Sequence, residues 1–289
     1  MIRRRIGVMV DSFKAGTLKE GILEAKAVGA DGLQIYAVDG EMHPDNIDSN
    51  GRGELKRFIA DNGLSIAALC GDLGGHGFAI PEDNPARIET SMKIMDLAVE
   101  IGTDVVTTHI GVVPEDPGHE RYRILQEACE ALGEYGDRVG ASFAIETGPE
   151  PANRLKRFLD SLASSGVRVN YDPANLVMVI GEDPSDGARI LGDYIVHTHA
   201  KDGIMVQKHD PEVIYNYFAD GGIEDLRLED YFKEVSLGEG NVDFPTYLAA
   251  LDEIGYSGFL TVERETGDDP GADIRMAVEY LKQLAEDGK

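Results

Sequence analysis

Apolar and polar positions along the chain follow two alternating rhythms. Short, nearly continuous apolar runs rich in β-branched residues fall at 6–10 (IGVMV), 32–36 (GLQIY), 65–70 (SIAALC), 104–110 (DVVTTHI), 142–147 (SFAIET), 167–172 (VRVNYD), 194–200 (YIVHTHA) and 258–264 (GFLTVER). Runs of this kind are strands covered on both faces, as in a parallel sheet. Between them, apolar residues recur at helical spacing in LKEGILEAKAVG, ELKRFIADNG, PARIETSMKIMDLAVEIG, RILQEACEALGEYGDRVG, LKRFLDSLASSG and FPTYLAALDEIG, with a last helix over roughly 270–285. The helices closing at Gly63, Gly102, Gly166 and Gly255 each lead into a strand, and glycine is the expected C-terminal stop.

Eight strand–helix units of roughly 30 residues predict a (β/α)8 barrel, and the 289 residues suit one such domain over 1–289. A doubly wound sheet is disfavoured because no GxGxxG turn follows the first strand. The seventh unit is long. Residues 203–240 separate strand seven from the next helix and hold two aromatic amphipathic pieces, VIYNYFADGG and LEDYFKEV. Long βα loops of a barrel lie over its active-site face, so this insertion is expected to be a lid.

Composition narrows the partners. Asp and Glu total 53 against 27 Lys and Arg, a formal net charge of −26. Such a surface repels phosphate backbones and anionic lipid, so nucleic acid and membranes are not expected partners. Cys70 and Cys129 are the only cysteines and no CxxC spacing exists, which points to a reducing cytoplasm rather than a disulfide framework. The basic start MIRRRIGVMVDSF has too short an apolar run for a signal sequence, and no apolar stretch approaches the roughly 20 residues of a membrane span.

Barrel enzymes carry their chemistry at the C-terminal ends of the strands. Here strand four ends in His109, five in Glu146, six in Asp172, seven in His199 and eight in Glu263. Neighbouring strands lie about 4.8 Å apart, so the last four side chains can converge on one point. Three carboxylates crowded together repel unless a cation sits between them. The set predicts one divalent metal ion, Mn²⁺ foremost, with Mg²⁺, Co²⁺ or Zn²⁺ also suited to it. Within VHTHAKD, His197 and His199 share a face. His199 lies about 6–7 Å nearer the mouth and is the expected ligand; His197 is read as a buried, hydrogen-bonded support, and Thr198 as facing the helices.

These segments, AIETG, NYDPAN, VHTHAKD, TTHIG and LGEGNVDFPTYLAALDEIGYSGFLTVERE, resemble the xylose isomerase-like barrels, described as sugar phosphate isomerases and epimerases, over nearly the whole chain. The resemblance implies that Glu146, Asp172, His199 and Glu263 bind the metal and that Glu146 and Glu263 double as acid and base. It implies a small carbohydrate substrate and proton transfer through an enediolate held on the metal. The ketohexose 3-epimerases of the group carry Glu, His and Arg where this chain has Ala152, Asn175 and Met205, so a free-ketohexose 3-epimerase is disfavoured. Glu150, Asn175 and Lys201 are the local replacements. His109 and Lys201 are expected to orient or protonate substrate oxygens, and His76 in GDLGGHGF to touch substrate at the rim.

Three other readings compete. An inosose dehydratase-like lyase begins with the same proton abstraction. An apurinic-site endonuclease-like hydrolase would need more histidines and a basic face. A barrel that has lost catalysis would only bind a ligand. The aromatic insertion suits packing on a second copy as well as on substrate, so a homo-oligomer stays open.

Overall fold

The computed structural model describes residues 4–223 and 226–287. Residues 1–3 and two positions of the insertion, 224 and 225, lie outside the described residues. Eight parallel strands close into a barrel: β1 (Arg5–Met9), β2 (Gly32–Tyr36), β3 (Ser65–Cys70), β4 (Val105–Thr108), β5 (Ser142–Glu146), β6 (Val167–Tyr171), β7 (Ile195–Ala200) and β10 (Phe259–Val262). The apolar runs become these strands because residues such as Ile35, Leu69, Val106, Phe143, Val169 and Val262 are buried in the barrel wall. Two further strands, β8 (Asp202–Met205) and β9 (Phe232–Val235), pair antiparallel outside the barrel. In the closed order β10 lies between β7 and β1, so β5, β6, β7 and β10 are consecutive neighbours.

The outer helices are α1 (Leu18–Ala27), α2 (Ser49–Asp61), α3 (Asn84–Ile101), α4 (Glu120–Val139), α5 (Ala152–Asp160), α7 (Pro184–Leu191), α9 (Phe244–Glu253) and α10 (Pro270–Asp287). A three-residue turn, α6 (Pro173–Asn175), widens into a π-turn over Leu176–Ile180, and α8 (Pro211–Ala219) belongs to the insertion. Gly63, Gly102 and Gly255 follow their helices with φ of 76°, 107° and 75°, the left-handed conformation expected of glycine stops.

Three sequence expectations are corrected here. The helix expected to reach Gly166 ends at Asp160, where the Ser161 hydroxyl donates to Phe158 O. Ser164 and Ser165 are then captured by Glu130 and Asp137 of α4, so side chains replace the next helical turn. Gly166 is no stop; a Cβ there would come 2.2 Å from Gly133 O, and glycine is needed for close packing. Second, α7 was not visible in the apolar pattern, because Pro184–Leu191 is short and its buried face includes Ser185, Gly187 and Ala188. Third, the insertion begins with a hairpin strand: residues 202–205 pair with 232–235.

The insertion is tied down at both ends. Asp202 is buried and accepts four backbone N–H groups, from Gly203, Gly238, Gly240 and Val242, at 2.8–3.1 Å. A Cβ at Gly240 would lie 2.1 Å from the Asp202 carboxylate, so the loop approaches this closely only as glycine. Glu234 on β9 accepts from Arg264 Nη1 at 2.5 Å, one residue past Glu263. At its far end α8 reaches the opposite rim. Asp220 Oδ1 lies 2.8 Å from His76 Nε2, Tyr215 donates to Gly75 O, and Glu212 pairs with Arg121 at 2.7 Å. The His76 loop is held in turn by Gly77 (φ 59°), where a Cβ would lie 2.3 Å from the Ile110 backbone. No helix among the described residues is long and apolar enough to cross a membrane.

Removing the Asp202 carboxylate leaves four N–H groups, two of them in buried bonds, without their acceptor. Asp202→Ala is expected to lower unfolding free energy by about 2–4 kcal/mol, and Asp202→Asn by less, in urea titrations followed by circular dichroism.

Candidate metal centre and active site

Four adjacent strands aim one side chain each at a common point. Glu146 closes β5, Asp172 follows β6, His199 is the penultimate residue of β7 and Glu263 follows β10. One ligand atom from each lies within 4.8 Å of the others, and all four residues are buried. His199 Nδ1 is 3.2 Å from Glu263 Oε2 and 3.6 Å from both Glu146 Oε1 and Asp172 Oδ2.

Asp172 shows how one carboxylate serves two purposes. Its Oδ1 caps the following turn, accepting from Ala174 N at 2.7 Å and Asn175 N at 3.0 Å. Its Oδ2 is buried and has no hydrogen bond. His199 Nδ1 is in the same condition. Two buried polar atoms that face each other among carboxylates, each without a hydrogen bond, are the donor set a divalent cation completes. Three carboxylates and one imidazole are hard ligands that suit Mn²⁺, Mg²⁺ or Co²⁺ and accept Zn²⁺.

Beneath the cluster lies a polar layer. His197 is buried, and its Nε2 lies 2.9 Å from Gln34 Oε1. Burial, and then the neighbouring charge of His199, hold its pKa well below the usual histidine value, so it is a neutral support. Thr198 turns away toward Tyr247 of α9. Asn170, one pleat below Asp172, donates to Glu146 Oε2 at 3.0 Å.

The remaining predicted residues take defined places. His109 stands just past β4, with Nδ1 2.9 Å from Asp72 Oδ2 and Nε2 3.8 Å from Glu146 Oε1. Burial opposes its protonation, but Glu146 and Asp72 push its pKa up to about 10. Lys201 is buried and donates to Glu263 Oε2 at 2.9 Å and Glu265 Oε2 at 2.5 Å, not to Asp202 beside it. Burial would raise the Glu263 pKa, yet the His199 and Lys201 charges hold it well below the ordinary carboxylate range. Asn175 donates to Glu146 Oε1 at 3.1 Å and to Thr147 O at 3.2 Å, so it orients the carboxylate. Glu150 is 2 % exposed, and Oε2 accepts from Val113 N. His76 sits at the rim, engaged by Asp220 of the insertion.

Gln34, Asp72, Asn170 and Tyr36 were not singled out from the sequence. Tyr36 ends β2 and feels Cys70 first, then burial, then Glu263, Glu265 and Glu146; these hold its phenol protonated. The available signal was a polar residue inside an apolar strand: Gln34 in GLQIY and Asn170 in VRVNYD.

Glu150 gives a pH test. Burial pushes its carboxyl up to about 7 against the weaker pull of the Val113 N–H, Arg154 and His109. A carboxyl raised on folding contributes most below its unfolded value, and that contribution is lost as pH rises through the folded value. Wild-type stability should therefore fall between about pH 4.5 and 7 relative to Glu150→Gln, by up to about 3 kcal/mol. Urea midpoints of the two proteins across pH 4.5–8 check this; parallel curves would contradict it.

Comparison with known proteins agrees with this geometry. The profile of the xylose isomerase-like TIM barrel family matches residues 22–284. An uncharacterised protein of Methanocaldococcus jannaschii is 24% identical over 219 residues, 69% of this chain; the match spans 64% of that protein's own length. The L-ribulose-5-phosphate 3-epimerase UlaE of Escherichia coli K12 is 23% identical over 288 residues, 96% of this chain and 93% of that one. The crystal structure of a xylose isomerase domain protein from Planctomyces limnophilus superposes with a TM-score of 0.80 at 25% identity, covering 98% of each chain. With eight parallel strands closed into a barrel and the family profile running through all but its ends, this chain belongs to the xylose isomerase-like TIM barrel family.

Proposed function

We propose that the protein is a divalent-metal-dependent isomerase or epimerase of a small sugar or sugar-like keto-polyol. The observation that carries this reading is the convergence of Glu146, Asp172, His199 and Glu263, with Asp172 Oδ2 and His199 Nδ1 free of hydrogen bonds. Those four residues would hold the cation, which when bound polarises a carbonyl and acidifies the adjacent C–H.

The chain's own groups supply the proton transfers. Glu146 and Glu263 come from β5 and β10, with two strands between them, and so flank a substrate from two sides. Asn170 and Asn175 hold the two oxygens of Glu146, and Lys201 holds Glu263 Oε2. Each carboxylate is thus fixed before substrate arrives, which keeps the reorganisation cost of the transition state low. One takes the proton from carbon and leaves an enediolate. Return of a proton to the opposite face by the other residue, then in its carboxylic acid form, gives the epimer; return of the abstracted proton to the neighbouring carbon, with one proton passing between the two oxygens, gives the isomer. His109, kept cationic by Asp72 and Glu146, is placed to donate to a substrate oxygen, and the buried Lys201 ammonium offsets charge beside Glu263. The helix α8, hooked to the His76 loop, is placed to act as the lid that limits water at this mouth.

The test is incubation of metal-supplemented protein with a panel of ketoses, aldoses and keto-glycosides in D2O, followed by NMR. Solvent deuterium should enter at a carbon next to the carbonyl. Deuterium entry accompanied by net loss of water would assign the dehydratase chemistry instead. Glu146→Gln and Glu263→Gln should each lower turnover about 10²–10⁴-fold. Asp172→Asn should abolish metal uptake measured by calorimetry. Full turnover in both glutamine variants would rule out the two-carboxylate scheme.

A further inference from the structure

Gln34 sits in the middle of β2, fully buried, in contact with the support beneath the cluster rather than with the carboxylates. Its Nε2 donates to Thr107 Oγ1 at 3.0 Å, and Leu69 O, 3.5 Å from that hydroxyl, offers an acceptor for the hydroxyl's own hydrogen. Thr107 is therefore the acceptor in this pair, which fixes the amide with its oxygen turned to the histidines. That oxygen, Oε1, lies 2.9 Å from His197 Nε2 and 3.1 Å from His199 Nε2. A carbonyl oxygen has two lone pairs and only accepts, so both ring nitrogens facing it must carry hydrogen. The two rings stand nearly perpendicular, at 88° with centroids 5.8 Å apart, and reach the oxygen without stacking on each other.

We propose that Gln34 is a positioning residue for the metal centre: it holds a hydrogen on Nε2 of His199, so that Nδ1 is the ring nitrogen turned toward Glu146, Asp172 and Glu263 and open to a cation. The reverse tautomer would set a nitrogen lone pair against the Gln34 oxygen and fill the ligand position with an N–H. Asn170 Nδ2, which gives one hydrogen to Glu146, lies 3.3 Å from the same Nε2 and its second hydrogen favours that reverse arrangement, but the Gln34 oxygen lies closer, at 3.1 Å. His197 is thereby assigned its purpose. It engages the second lone pair of Gln34 and locks the amide against flipping. A donor hydrogen-bonded behind a ligating imidazole orients the ring, and loss of such a partner typically costs about 10–100-fold in metal affinity. The proposal rests on the metal reading for its consequence but not for its proton.

The proton is read directly by two-bond ¹H–¹⁵N spectra of labelled protein, metal-free and loaded with diamagnetic Zn²⁺. Both His197 and His199 should carry hydrogen on Nε2 in both states. Gln34→Leu keeps the volume and removes the acceptor. It should lose the His199 Nε2 proton signal to exchange and weaken Co²⁺ binding about 10–100-fold by calorimetry, with an unchanged far-ultraviolet spectrum. Gln34→Glu keeps an acceptor oxygen and should recover most of the affinity. A bare Nε2 on His199 in Zn²⁺-loaded wild-type protein overturns the proposal while leaving the metal reading intact, and so does unchanged Co²⁺ affinity in folded Gln34→Leu. If the wild-type protein takes up no cation but both Nε2 atoms carry hydrogen, the metal reading falls and the placement of the proton stands. The wild-type spectrum decides the question even if a variant fails to fold.

Discussion

Three carboxylates held together in a nearly dry barrel mouth repel one another, and much of the surrounding structure answers that repulsion. Glu146, Asp172 and Glu263 are all buried, so water does little to screen them. His199 stands among them, Lys201 bridges Glu263 and Glu265, and His109 sits between Glu146 and Asp72. Backbone and amide N–H groups take up the remaining lone pairs, as Ala174 and Asn175 do for Asp172. What these partners leave over is one oxygen of Asp172 and one nitrogen of His199, buried atoms in a group that could hold a cation.

The layer below decides how those atoms point. A barrel interior is usually filled by branched apolar side chains. Here it holds Gln34, Thr107, Asn170 and His197 at a depth where an unpaired polar group would be costly. Most of their polar atoms are paired with one another or with the cluster: Thr107 with Gln34, Gln34 with two histidines, and the Asn170 amide nitrogen with Glu146, while Asn170 Oδ1 has no hydrogen bond. A polar layer linked in this way is stiff, because moving one member leaves another without its partner. That stiffness reaches the cluster through His199 and Glu146.

The insertion after β7 couples the same centre to the outer rim. Its hairpin is anchored by Asp202 and by Glu234 against Arg264, so its root lies one residue from Glu263. Its helix ends on the loop after β3 through His76 and Tyr215. The rim contacts are exposed and the root contacts buried. Exposed ion pairs contribute little to stability, whereas a buried charge-assisted bond is strong, so the free energy of opening is lower at the rim than at the root.

Much was legible in the sequence because it depended on local rhythm. Apolar runs of strand length, helical spacing between them and glycine stops are set within a dozen residues, and they were enough for the eightfold barrel. Glu146, Asp172, His199 and Glu263 were legible too, since each falls at the same place in its own unit. Tertiary structure decided the rest. No local pattern says that Lys201 leaves Asp202 for Glu263, that Gly166 answers Gly133, or that Gln34 on β2 meets His199 on β7. Those contacts join residues 33 to 165 positions apart, and only the tertiary fold brings them together. Sequence rhythm chose which side chains face the mouth; the closed sheet chose their partners, because a buried polar atom must pair with whatever the opposite strand presents.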